Sequence, residues 1–144
     1  MRRALLVLIA AAAVAGCATS GPTFEASVDT LPKLQGTDGR VFIYRSSSLG
    51  GAIQPRVHLN GVDVGGSQPW AFYFVDRPPG NYVVSASTEV EKKLSFTLDA
   101  GEERYVRLTP TFGLLVGRIV PELVSRDEAL KDMKELRQVP AAGK

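Results

Sequence analysis

The chain has one cysteine, one histidine and one tryptophan in 144 residues, and each scarcity closes a class of chemistry. A single cysteine forbids an intramolecular disulfide and a thiolate metal cluster. With His58 alone there is no two-histidine metal site, and a Ser-His pair would have no alternative base. The longest unbroken apolar run, residues 4–15, has 12 residues, short of the roughly 20 that a helix needs to cross a bilayer core. Positive charge is also thin. The formal net charge is +2, and no basic cluster exceeds Lys92-Lys93. Nucleic-acid binding therefore has no electrostatic footing.

What is present begins at the N-terminus. Arg2 and Arg3 precede the apolar run, and Val14-Ala15-Gly16-Cys17 closes it with small residues before the only cysteine. This order is that of a signal peptide. The closing tetrapeptide resembles the lipobox of bacterial lipoproteins, in which a peptidase cuts before a cysteine that already carries diacylglycerol. The resemblance implies a signal peptide over 1–16, a mature chain starting at Cys17, lipidation of Cys17, and attachment to a membrane through that lipid. Acyl chains anchor through about 0.8 kcal/mol per buried methylene, so two or more hold where one is marginal. Ala18 follows where an aspartate would resemble the inner-membrane retention signal, which implies the outer membrane with the domain in the periplasm. Without Arg2 and Arg3 the mature chain has 15 basic and 15 acidic residues, so its apparent basicity belongs to export.

Residues 17–38 are rich in turn formers and lack sustained periodicity, which reads as a lipidated N-terminus and flexible linker. Fully extended, it reaches on the order of 70 Å at ~3.3 Å per residue. The alternative is a short helical stripe of Phe24, Val28, Leu31 and Leu34.

From residue 39 to 124 the chain punctuates itself as short strands. Arg40-Val41-Phe42-Ile43-Tyr44-Arg45 is β-branched and aromatic, and Asn60-Gly61 between Val57-His58-Leu59 and Val62-Asp63-Val64 is a hairpin signal. Trp70 to Val75 is a dense aromatic strand, and Pro78-Pro79-Gly80-Asn81 is a turn. Leu94, Phe96 and Leu98 alternate with Lys93, Ser95 and Thr97, which predicts a half-buried strand. Short strands at intervals of roughly ten residues indicate a mainly β fold, a small antiparallel β-sandwich. Ser125-Arg126-Asp127-Glu128 matches a capping box opening one C-terminal helix within 125–144, with Ala129, Leu130, Met133 and Leu136 as the docking face.

The order of Arg40 to Arg45, Leu59-Asn60-Gly61, Pro78-Pro79-Gly80-Asn81-Tyr82, Gly101-Glu102-Glu103-Arg104-Tyr105-Val106 and Glu128-Ala129-Leu130 resembles a family of bacterial lipoproteins defined by a domain of unknown function, over about residues 38–137. The Pro-Gly-Asn-Tyr and Ala-Gly-Glu turns are also similar to those of PEGA-type β-sandwich modules. These likenesses imply fold and compartment, and bring no catalytic or ligand residues with them.

No catalytic set, metal site or cofactor site emerges. Asp63, Asp76, Glu89, Glu91, Asp99, Glu102 and Glu103 fall in or beside turns, where carboxylates are solvated or bond backbone. Gly61, Gly65 and Gly66 have the wrong spacing for a phosphate loop and no Lys-Ser or Lys-Thr behind them. Tyr44, Trp70, Tyr73 and Tyr105 form either a sugar-stacking surface or, more commonly for strand aromatics, core. Residues 111–120 are too apolar for a solvated loop and too glycine-interrupted for a plain strand. They read either as a buried strand or as a contact surface in which Phe112 and Leu115 meet another envelope protein, with Arg118 at the rim. The function so indicated is a non-enzymatic, membrane-anchored structural or protein-interaction module of the envelope. The alternative is a module that binds peptidoglycan or another glycan. No small-molecule substrate and no nucleic acid is indicated.

Overall fold

A computed structural model describes residues 20–88, 91–113 and 117–143. Its centre is the strand Gly39–Arg45 (β1), in which every residue is buried. The reason is layering. Val41 and Ile43 face a second sheet, while Phe42 and Tyr44 face helices on the other side, so both faces of the strand lie in apolar cores. An unbroken Val-Phe-Ile-Tyr run is the signature of a strand covered on both faces.

β1 lies in a five-stranded sheet with Ala71–Arg77 (β4), Glu103–Phe112 (β7), Gly117–Val124 (β8) and the two-residue strand Arg137–Gln138 (β9), in the order β8-β7-β1-β4-β9. Arg56–Leu59 (β2), Val62–Gly66 (β3), Gly80–Ala86 (β5) and Lys92–Leu98 (β6) make the second sheet, in the order β3-β2-β5-β6. The two-sheet, mainly β architecture with one C-terminal helix is therefore the one the strand spacing indicates, and the second sheet is wholly antiparallel. In the first sheet β1 pairs parallel with β7, and β4 with β9. Between β1 and β7 the chain crosses to the other sheet and back twice, returning first as the antiparallel β4 and then as β7, which enters from the same end as β1. Asn60 and Gly61 take φ of 49° and 80°, the left-handed pair that a type I′ hairpin requires.

The expectation of a free linker is corrected over its docked part. Thr23 Oγ1 accepts the Ala26 amide at 3.3 Å and caps the one-turn helix Phe24–Ser27 (α1). Phe24 is 4% exposed and packs edge-on against Phe42 and Phe72, with ring centroids 5.8 and 5.3 Å apart. The Phe24 amide donates to Leu136 O at 2.8 Å, and the Gln138 amide to Pro22 O at 2.9 Å. A buried phenyl removed from water outweighs the weak local signals of a turn-rich segment. Val28, by contrast, is exposed. Arg126–Met133 (α2) docks through Ala129 and Met133, with Leu130 partly and Leu136 fully buried. Ser125 Oγ accepts the Glu128 amide at 3.3 Å, but the Glu128 carboxylate is drawn to Arg107 instead of closing the capping box. After β9 the tail spans the flank between the sheets, with the Val139 amide on Phe72 O and the Ala142 amide on Val64 O, both at 2.9 Å.

Candidate functional site

Arg45, the last residue of β1, is fully buried. Among the described residues no carboxylate pairs with it. Its guanidinium donates instead to five backbone carbonyls: Ser47 O at 3.2 Å, Ile53 O at 2.7 Å, Ser67 O at 2.9 Å, Gly50 O at 3.0 Å and Leu49 O. Desolvation lowers its pKa, but a guanidinium so placed stays charged at physiological pH. Only a planar fork of five N–H groups can serve so many acceptors at once. The charge therefore ties loop 46–55 to the stretch after β3, at one end of the sandwich.

The β7–β8 hairpin joins the same end. Gly117 lies so close to Ile53 that a Cβ there would fall 2.1 Å from Ile53 Cδ1, so the base of the hairpin rests on the loop that Arg45 organises. Gly51 lies at ordinary van der Waals range from the Pro69 ring. Three large apolar side chains stand out here: Leu49 and Trp70, each 50% exposed, and Phe112, 71% exposed. Trp70 holds φ of 54°, a left-handed conformation costly for a bulky side chain and worth noting wherever it occurs. None of residues 46–55, 66–70 and 110–113 is Asp, Glu, Lys or Arg, in a chain that is 22% charged. The loops at this end of the domain are thus free of charge, apolar at their tips and built around a hidden cation, while the nearest charged side chains sit on strands, Arg118 opposite Thr111 and the exposed Arg137 beside Ala71.

Of the three contact residues that the sequence singles out, Phe112 is the most exposed large apolar side chain among the described residues, and Arg118 is half-buried on β8 opposite Thr111. Leu115 lies outside the described residues, as does Cys17. Leu49 and Trp70 complete the surface, and sequence reasoning missed both as members of it. Leu49 sits in a Ser-Gly loop, and Trp70 reads as the start of a strand.

The remaining candidates are accounted for by structure. Tyr44, Tyr73 and Tyr105 are buried, so Trp70 alone of the four aromatics is available for stacking. Asp76 pairs with Arg40 at 2.7 Å, Asp63 with Arg56 at 2.8 Å and Glu102 with Arg104 at 3.1 Å, while Glu103 accepts the Tyr105 hydroxyl at 2.6 Å. Arg107 binds Glu122, Glu128 and Asp132, and Asp132 also accepts the Tyr44 hydroxyl at 2.8 Å, knitting α2 to the first sheet. Burial and Asp132 push the Tyr44 pKa up, and hydrogen bonds to the three carboxylates hold the Arg107 charge despite its desolvation. His58 Nδ1 lies 3.3 Å from Ser87 Oγ, and among the described residues no carboxylate is hydrogen-bonded to its ring. No group of three or more metal-ligating side chains occurs among the described residues. No described helix is long and apolar enough to cross a membrane. A groove of about 610 Å³ on the flank is lined by Ser20, Gly21, Gln54, Arg56, Gln68 and Gln138 among others.

Fold and surface together define a helix-backed, two-sheet β domain with Leu49, Trp70 and Phe112 exposed at one end. Residues 35–117 match the family described as a protein of unknown function, DUF2846, and the chain belongs to that family. The matched span contains loop 46–55, Trp70 and Phe112. An uncharacterized protein of Haemophilus influenzae (strain ATCC 51907 / DSM 11121 / KW20 / Rd) is 27% identical over 97 residues, which cover 67% of this chain and 58% of that protein. The chain thus spans little more than half the length of this relative. No solved structure matches the chain.

Proposed function

We propose that the chain is a lipoprotein of the bacterial envelope, anchored to the outer membrane through Cys17. Its domain acts in the periplasm as a non-catalytic structural or interaction module, and the end bearing Leu49, Trp70 and Phe112 is its contact surface. Support for the anchor lies in the order of Arg2-Arg3, the apolar run and Val14-Ala15-Gly16-Cys17. Support for the module lies in that end, where Leu49, Trp70 and Phe112 are exposed on charge-free loops, since apolar side chains gathered together on a surface mark interaction sites. The likeness to PEGA-type modules favours the same role, since it rests on the turns that join β4 to β5 and β6 to β7. The observation that carries the proposal is this uncharged, aromatic-tipped end on a chain whose first 17 residues read as a lipid address.

The test is the mass of the mature N-terminus with membrane fractionation of wild type and Cys17→Ala. The expected result is a wild-type chain starting at an acylated Cys17 in the outer-membrane fraction, and a Cys17→Ala chain that is unacylated and released. A wild-type chain that starts downstream of Cys17 and is recovered as soluble protein overturns the reading.

A further inference from the structure

We infer that the uncharged end seats on the lipid bilayer itself, with Trp70, Leu49 and Phe112 entering the interfacial region of the membrane that holds the anchor. This rests on the lipid-anchor reading and names the partner of its contact surface. The first argument is where the chain leaves the domain. Gly21 lies against Gln138, so closely that a Cβ there would fall 1.9 Å from Gln138 O, and the chain is docked from that point on. From Cys17 to Gly21 is four residues, a reach of only about 13 Å even when fully extended. Ser20 and Gly21 line the same flank groove as Gln54, at the end of loop 46–55, and Gln68, two residues before Trp70. Thr23 bridges Arg137, the residue paired with Ala71, so Gly21 and Ser20 lie along the flank a short way behind Trp70, and an acylated Cys17 holds the bilayer within about 13 Å of that flank.

The second argument is composition. Tryptophan sits preferentially at the membrane interface, where its ring is apolar and its N–H still finds water. Leucine and phenylalanine beside it add apolar area, and charged side chains, which resist leaving water, are absent from the described loops at this end. Arg45 supplies rigidity without presenting its charge, because the guanidinium is consumed by carbonyls inside. Arg118 stands one residue pair behind Phe112 across the hairpin, opposite Thr111, and a long cationic side chain so placed can reach toward lipid phosphate. Three side chains bind a membrane weakly by themselves, but a tether makes the contact intramolecular, and a second modest signal is what converts an acyl anchor into a fixed orientation.

Trp70 is the sole tryptophan, so its fluorescence reports on this end without labelling. The full lipidated chain is reconstituted into phosphatidylethanolamine–phosphatidylglycerol vesicles with and without bromine high on the acyl chains. The expected result is blue-shifted emission and quenching by roughly half in brominated vesicles, with acrylamide access reduced about twofold relative to the Cys17→Ala chain in buffer. Phe112→Asp, at an exposed position, should preserve folding and flotation while removing most of the quenching. In a Trp70→Phe chain carrying Asn81→Trp on β5, at the opposite end of the domain, bromine should have no effect. A chain that floats and carries acylated Cys17, yet whose Trp70 stays unquenched, overturns the inference and leaves the anchor standing; capture of a protein by a photocrosslinker at Phe112 in such a sample assigns the end to a protein partner. An unmodified Cys17 in the mass spectrum overturns the anchor and this inference together.

Discussion

Replacing Arg45 with methionine tests the central device of the contact end. The guanidinium is fully buried and serves Ser47 O, Leu49 O, Gly50 O, Ile53 O and Ser67 O. Methionine fills much of the volume and donates nothing. Water can reach the carbonyls of the exposed loop once it loosens, which leaves Ile53 O and Ser67 O as the acceptors most deeply orphaned. An unsatisfied buried acceptor costs about 1–3 kcal/mol, so the pair costs on the order of 2–6 kcal/mol. Removing a buried charge returns part of this, because its own desolvation opposed folding. A net loss of about 3 kcal/mol remains, equivalent to roughly 10 °C in Tm for a domain of this size. Arg45→Lys should do no better, since it keeps the buried charge but loses the fan of donors. The assay is thermal and urea unfolding of the Cys17→Ala background, with acrylamide access to Trp70 measured well below the transition. Loss of the Arg45 fan should raise that access before global unfolding, because Ser67 and Trp70 belong to one loop. If Arg45→Met melts within about 1 kcal/mol of its parent, the carbonyls do not depend on the guanidinium and the reasoning is wrong.

Two further outcomes test the packing. Phe96→Asp should abolish cooperative unfolding while Thr97→Asp is tolerated, because Phe96 lies in the core between the sheets and Thr97 faces water with its hydroxyl on Asn81; losing a buried phenyl alone costs about 3–5 kcal/mol. Equal melting temperatures for the two variants would refute the register. Ser125→Ala should cost about 1 kcal/mol through the lost acceptor for the Glu128 amide, read as a shift of a few degrees in Tm with α2 otherwise unchanged by circular dichroism.

Local chemistry made much of the fold legible. Asn60-Gly61 specifies its hairpin by backbone preference alone, and β6 states its two faces through strict alternation. What escaped the sequence depends on partners far along the chain. Nothing in Val41 to Tyr44 announces that β7, some 60 residues later, pairs beside it in parallel. The docking of Phe24 was hidden because one aromatic residue in a turn-rich stretch has no period to betray it. Glu128 satisfies the capping-box pattern, yet a nearby guanidinium competes for its carboxylate more strongly than a backbone N–H does. Of the contact end, Phe112 and Arg118 were visible as an apolar run with a charge at its rim. Leu49 and Trp70 join them only through the tertiary work of Arg45, a residue that reads from sequence as an ordinary solvated charge at a strand end.

The distribution of unfavourable choices in the domain points the same way as its geometry. A bulky residue held at positive φ costs on the order of 1–2 kcal/mol relative to ordinary backbone. Burying an unpaired cation is costly even with good acceptors, and leaving a phenyl ring 71% exposed forgoes the gain of burying it. Elsewhere the strands alternate and carboxylates are matched to arginines, although Val62, in the β2–β3 hairpin, is also exposed, at 54%. Violations scattered at random would be ordinary imperfection. Here the strained Trp70, the hidden Arg45 at the end of β1, the bare Leu49 and the bare Phe112 at the end of β7 gather at one end of the domain, near the flank along which the N-terminal segment runs. Since a domain of this size has only a small stability margin, concentrating such costs in one place is intelligible where that end is completed by something outside the chain. The proposed acyl anchor at Cys17, four residues before Gly21, would bring a lipid surface within reach of that end.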